Sequence, residues 1–163
     1  MRLLLVRIAA IAAAFVVLAG DHAFAGSATS NITVTATVVK NCTITAGNVA
    51  FGSYDPTSAT PLNASGTFTI TCGQGTAYSI GLNSGANAQG TTRRMAGGAQ
   101  FLTYELYQDS GRTTVWTNTG SGMLSGTAPS NNPITLTVYG QVAPSQNVTI
   151  GSYTDTVVAT VNF

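Results

Sequence analysis

Side chains able to do acid–base, nucleophilic or metal chemistry are few in this 163-residue chain. Its single histidine, His22, lies in a stretch read below as a cleaved leader, so the mature chain has neither a Ser-His-Asp nor a Cys-His site. A histidine-bearing zinc site is excluded on the same ground, and two cysteines cannot supply a four-cysteine site. The acids beyond the leader, Asp55, Glu105, Asp109 and Asp155, are scattered. Asp55 sits between Tyr54 and Pro56, a turn setting, while Glu105 and Asp109 flank a strand end and read as solvated. No phosphate-cradling glycine loop is present, since the glycines fall in turns. No catalytic residue, metal or cofactor is assigned, and the chain reads as a non-enzyme. Two sets of residues remain: Cys42 with Cys72, and the aromatics Tyr104, Tyr107, Trp116 and Tyr139. The aromatics offer a sugar platform, with Tyr107 and Tyr139 on the non-core parity of their strands. In a polymer, subunit packing is the commoner use of such residues.

Residues 1–25 have the marks of a secretory leader: Arg2 and Arg7, an apolar run over residues 8–18, and Ala23-Phe24-Ala25 before Gly26. The apolar run is too short to span a bilayer comfortably. Export makes a disulfide the default state of Cys42 and Cys72. Cys42 shares a strand face with Ile44, and Cys72 with Phe68 and Ile70, so both point to the core as an intersheet or neighbouring-strand bridge requires. Closing that loop is worth roughly 3.5 kcal/mol in the chain-entropy model. Past the leader, Lys40, Arg93, Arg94 and Arg112 balance the four acids, so nothing steers nucleic acid or an acidic membrane. Arg93-Arg94, the only basic pair there, reads as a solvated turn. So few charges on a secreted chain suggest a surface in lasting contact with neighbours.

The elements that must position these residues are strands. After Gly26 there is no helical periodicity of useful length, and short apolar-alternating runs are separated by Gly, Ser, Asn and Pro. Strands are predicted over residues 42–46, 49–54, 67–72, 77–83, 100–108, 113–117, 134–142 and 153–163, with 120–133 as an exposed, mobile loop. The sum is an antiparallel, immunoglobulin-like β-sandwich. Ahead of it, residues 30–39 alternate cleanly: Ile32, Val34, Ala36 and Val38 on one face, Thr33, Thr35 and Thr37 on the other. The parity resumes at Cys42. A single strand from Ile32 to Ala46 would run roughly 50 Å at about 3.3 Å per residue, beyond the usual strand of about 3–10 residues. The leading ribbon therefore reads as one that reaches another copy, while pairing within its own domain stays open on these residues alone. The last strand ends at Phe163 on an apolar position, where an immunoglobulin sandwich would add another strand. A surplus strand in front and a missing one behind are complementary. Head-to-tail filling of this kind does not close and makes a filament.

The body also resembles the spore coat protein U family, which includes major subunits of archaic chaperone–usher pili. The resemblance is carried by Ala50-Phe51-Gly52-Ser53-Tyr54-Asp55-Pro56, Arg93-Arg94-Met95, Leu102-Thr103-Tyr104-Glu105-Leu106-Tyr107, Thr113-Thr114-Val115-Trp116, Leu136-Thr137-Val138-Tyr139-Gly140 and Gly151-Ser152-Tyr153-Thr154-Asp155-Thr156-Val157. These run in family order over nearly all of residues 41–163. The two cysteines sit where the family's disulfide would. With the leader over 1–25 set apart, the resemblance implies a donor extension over 26–40 and an incomplete immunoglobulin-like domain over 41–163, completed by a strand from another subunit. It also implies a periplasmic chaperone, an outer-membrane usher, and export through the periplasm to the cell surface or pilus, with adhesion and biofilm formation as the use. By that pattern Ile32, Val34, Ala36 and Val38 are the donor side chains. Val157, Ala159, Val161 and Phe163 border the acceptor groove and pair with the chaperone. Two other readings compete: a secreted coat or matrix protein, and a self-complete carbohydrate-binding module.

Overall fold

The computed structural model describes residues 25–163. The expected leader, Ala25 aside, lies outside the described residues. Packing divides the chain into Met1–Ala36 and Thr37–Phe163. In the leading stretch, residues 25–41 carry no strand and every side chain is exposed.

The body is an antiparallel sandwich of two sheets. The larger has the order β1-β2-β7-β5-β4, made of Cys42–Ala46, Leu62–Cys72, Ile134–Val142, Gln100–Tyr107 and Arg93–Gly97. The smaller has the order β6-β3-β8, made of Leu124–Thr127, Ala77–Leu82 and Ala159–Asn162. Period-two alternation sends Phe68, Ile70, Leu102, Tyr104, Leu106, Val138 and Val142 inward from the larger sheet against Ile80 and Leu82 of the smaller. Trp116 is wedged among them, 1% exposed. Its Nε1 donates to Ile80 O at 2.9 Å, and its ring lies 5.3 Å from that of Phe68. A buried indole N–H finds its acceptor here, as a desolvated donor must.

The cysteines bridge neighbouring strands. Cys42 and Cys72 are directly opposed in the β1–β2 register and disulfide-bonded across a separation of 30 residues.

Several predicted elements are corrected. Residues 49–54 and 113–117 are not strands: Gly52 has φ +73°, and the second stretch meets β5 through a bridge between Tyr107 and Val115 and β3 through Leu82 N to Thr117 O, 3.2 Å. The predicted strand over 153–163 shrinks to β8, preceded by a single bridge from Thr154 to Ala96. Residues 120–133 contain a short 3₁₀ turn, Gly120–Gly122, then β6, then the buried Ala128. Arg93-Arg94 is no solvated turn: it opens β4, and Arg93 is 2% exposed. Nor is Glu105 merely solvated, because its carboxylate pairs with Arg93. The physical reason is shared. Open carbonyls of Leu82, Asn83 and Trp116 need a forked donor, and the guanidinium supplies it.

Candidate functional site

Where the two sheets part beside β8, the core is open. Two adjoining cavities of about 540 and 430 Å³ lie there and share Val49, Phe51, Met95 and Tyr153. Leu102 and Val142 form part of the floor of the first; Phe68, Leu82, Leu106 and Val138 form that of the second. The walls are two irregular stretches, residues 48–54 and 147–153, for which no backbone-to-backbone hydrogen bond is found among the described residues. The last such bond on the first wall is Gly47 N to Thr67 O, 2.8 Å.

Each wall is held by side chains of the resembling motifs. On the first, the Phe51 ring lies over Gly140, where a Cβ would come within 2.7 Å of Cζ, and meets the Tyr104 ring edge-on at 6.1 Å. The Tyr54 hydroxyl donates to Ala143 O at 3.0 Å and accepts from Gln146 N at 2.8 Å. The Gln146 amide then mimics a strand neighbour, accepting from Thr103 N and donating to Thr103 O. On the second wall the Tyr153 ring covers Gly97, where a Cβ would sit 2.6 Å from Cε1, and its hydroxyl donates to Thr149 O at 2.8 Å. Ala96 and Thr154 exchange backbone bonds of 2.8 and 3.0 Å. Asp155 accepts from Tyr104 Oη at 2.7 Å, Asn87 N at 3.1 Å and Asn87 Nδ2 at 3.0 Å. Burial, then the hydrogen bond to Asp155, pushes the Tyr104 phenol far above its ordinary range, so it stays a neutral donor.

β8 continues the second wall. One of its edges pairs with β3, Leu82 opposite Ala159 and Ile80 opposite Val161. Its position at the end of the sheet order leaves the other edge unpaired among the described residues. Of the residues expected to border the groove, Val157 and Ala159 line the second cavity and Val161 is half-buried on the same parity. Phe163, by contrast, is about half exposed, 53%, and lines neither cavity. The expected donor side chains are bare: Ile32 is 88%, Val34 89% and Val38 97% exposed, and Ala36 is exposed too.

The sugar platform as first drawn is corrected, since Trp116 and Tyr104 are core residues. Tyr107 and Tyr139 alone stay half-exposed. Sequence reasoning missed residues 48–53 and 147–152 as walls. The signal available was the pairing of aromatics with glycines, Phe51 with Gly140 and Tyr153 with Gly97. No group of three or more His, Cys, Asp or Glu side chains among the described residues is placed to hold a metal.

Comparison with known proteins places this architecture. The family model for the Spore Coat Protein U domain matches residues 28–160, which takes in the alternating leading ribbon as well as the body. Protein U of Myxococcus xanthus is 36% identical over 178 aligned residues, covering 96% of each chain. In solved structures, the chain is similar to one in the CsuC–CsuE chaperone–tip adhesion subunit pre-assembly complex from the archaic chaperone-usher Csu pili of Acinetobacter baumannii. That likeness has a TM-score of 0.58 at 26% identity and covers 78% of this chain but 40% of that one. The chain belongs to the Spore Coat Protein U domain family.

Proposed function

We propose that the protein is a structural subunit of a chaperone–usher pilus that polymerises by lending residues 26–40 to a second copy. The leader over 1–25 is removed on export, and 41–163 is the body that accepts the strand. Ile32, Val34, Ala36 and Val38 of one copy enter the open cleft of the next, beside Val157, Ala159 and Val161. Before assembly a periplasmic chaperone covers the same edge, and an outer-membrane usher hands subunits on. Adhesion and biofilm formation at the cell surface are the use, and no catalysis is assigned.

The observation that carries this reading is the opening into the core at the two cavities, beside residues 48–54 and 147–153, which have no backbone-to-backbone bonds among the described residues. Such an edge is an aggregation hazard unless something covers it. A strand laid there satisfies the walls at about 1 kcal/mol per hydrogen bond. Each Ile or Val moved from solvent into the floor adds roughly 1.5–3 kcal/mol as an upper estimate. A one-residue slip would bury Thr33, Thr35 and Thr37 instead, so register is strongly specified.

The test is deletion of residues 26–39 in a strain supplying chaperone and usher. Full-length chain should give heat-labile multimers in detergent gels, and the deletion only chaperone-bound monomer. Filaments from the deleted chain would refute the proposal. A coat or matrix protein deposited on a spore or cell surface is the second reading, supported by the family's own description. It predicts surface deposition in a strain that lacks the usher.

A further inference from the structure

We propose that Lys40 of one copy pairs with Asp155 of the next, and that this ion pair sets the direction and register of the inserted ribbon. The proposal rests on the donation reading above and gives every donor side chain an opposite number.

Parity brings the two charges together. Lys40 continues the series Ile32, Val34, Ala36 and Val38, and it is the only charged residue of 26–40. On the receiving side, Tyr153, Asp155, Val157, Ala159 and Val161 are half-buried, while Thr154, Thr156, Val158, Thr160 and Asn162 are exposed. Asp155 is thus the one charged side chain on that inward face, and it lines the second cavity. The backbone agrees. The carbonyls of Thr154, Thr156 and Val158 accept from Ala96 N, Ala86 N and Asn83 N at 2.8, 3.0 and 3.0 Å. Alternation turns the N–H and C=O of Asp155 and Val157 to the opposite edge, where neither has a backbone-to-backbone bond among the described residues. An antiparallel ribbon on that edge, with Lys40 opposite Asp155, sets Val38 against Val157, Ala36 against Ala159, Val34 against Val161 and Ile32 against Phe163. The half-exposed Phe163 ring gains a cover in this register. A two-residue slip sets Lys40 against Val157, or Val38 against Asp155. A parallel ribbon with Lys40 at Asp155 would run back past Tyr153 and leave the β8 edge bare.

The Asp155 carboxylate has room for this partner. Its Oδ1 accepts from Asn87 N and Nδ2, and its Oδ2 from Tyr104 Oη, all of them neutral donors. A carboxylate offers about four acceptor sites. The one ion pair found among the described residues joins Arg93 to Glu105. Arg94 keeps its charge but is turned to Asn87 O, Gln89 Oε1 and the Phe101 ring, and Arg112 is bonded to Gly140 O and Ser110 O. Directly opposed side chains on one sheet face stand about 4.5–5.5 Å apart at Cβ, within reach of a lysine. Insertion strips water from the carboxylate, and a cation carried in on the ribbon compensates it. A slipped ribbon would instead cover that charge with valine, which is costly. The pair therefore acts more by penalising wrong registers than by adding affinity to the right one.

The test uses the full-length chain expressed with chaperone and usher. Val34→Cys/Val161→Cys sets a cysteine of one copy opposite a cysteine of the next, where Cα atoms about 5.5 Å apart permit a disulfide. A ladder that survives heat and collapses with reductant is expected from this pair. It is not expected from Val34→Cys/Ala159→Cys or Val34→Cys/Phe163→Cys, which read a two-residue slip in either direction. Lys40→Glu, which sets two carboxylates together, should cut multimer yield about tenfold or more, and Lys40→Glu/Asp155→Lys should restore most of it. The cysteine pairs leave Asp155 with its Tyr104 and Asn87 bonds, so they read the register even if the exchanged pair folds poorly. The proposal falls while donation stands if wild type gives its ladder but Val34→Cys/Val161→Cys gives no cross-link, or if Lys40→Glu matches wild type in yield and heat stability. Absence of a ladder from wild type itself removes donation and the ion pair with it.

Discussion

Replacing Arg93 by leucine should cost the body several kcal/mol, and the structure says where the cost arises. Nη2 donates to Leu82 O at 3.0 Å, Asn83 O at 2.8 Å and Trp116 O at 2.7 Å; Nε donates to Asn83 O at 3.0 Å; Nη1 meets the Glu105 carboxylate. Arg93→Leu leaves these carbonyls without a donor. An orphaned buried acceptor costs about 1–3 kcal/mol, and the Leu82 and Trp116 bonds are buried. Glu105 adds less, because its side chain is 29% exposed and regains water on release. Together the loss should reach about 3–5 kcal/mol, a large share of the roughly 5–15 kcal/mol that holds a domain. Trp116 is the sole tryptophan and one of the acceptors, so its fluorescence in a urea titration reports the site directly. The midpoint should fall with the slope unchanged. Arg93→Leu/Glu105→Leu should recover the smaller carboxylate share and leave the carbonyl share lost. A single-variant cost below about 1 kcal/mol would show that water can stand in for the guanidinium, against the burial argued here.

Other outcomes follow from the same coordinates. Val34→Asp should abolish heat-labile multimers yet leave the urea midpoint of the single subunit unmoved, since Val34 is 89% exposed there; a persistent ladder would count against donation. Trypsin should cut free subunits first at Lys40, the only lysine and exposed, and cut multimers more slowly; equal rates in both would remove the case for a shielded ribbon. Cys42→Ser should lower stability by about 2–5 kcal/mol, measured by urea unfolding of oxidised wild type and variant. The backbone N–H of Thr114, with Thr113 N–H and hydroxyl, holds the Asp109 carboxyl below its ordinary 3.8. Its contribution is therefore present above that value and lost as pH falls through the lower folded one. Asp109→Asn should flatten that acid limb of a stability–pH curve, and an unaltered limb would show that other carboxylates set it.

Two strands, β1 and β7, were legible in the sequence to the residue because each pairs along its whole length. β4 was not. Its opening Arg93-Arg94 reads locally as a turn, and only three carbonyls distant in sequence explain a guanidinium inside. β6 was hidden by composition: four residues at a sheet edge, Leu124–Thr127, sit in a stretch otherwise dominated by Gly, Ser, Asn and Pro. Of the cavity lining, Val157 and Ala159 lie on the apolar parity of the expected last strand, and the opposite wall was taken for an ordinary strand.

That misreading is informative. Period-two alternation reports a face that is half covered, and says nothing of whether the backbone beside it has a partner. Residues 49–54 pack Val49, Phe51 and Tyr54 on the core, with the parity broken at Gly52 (φ +73°), yet have no ladder. Residues 147–153 pack Val148 and Tyr153 on the core and likewise have no backbone-to-backbone bond among the described residues. Residues 32–38 alternate with neither cover nor ladder. In a self-sufficient sandwich each such run would find a neighbour, because buried or half-buried backbone groups left unpaired are costly. Two of these runs flank one cleft, and the third has the side-chain spacing to lie between them. One inserted ribbon would satisfy all three at once, which no rearrangement of the two walls alone could do without filling the floor with polar backbone.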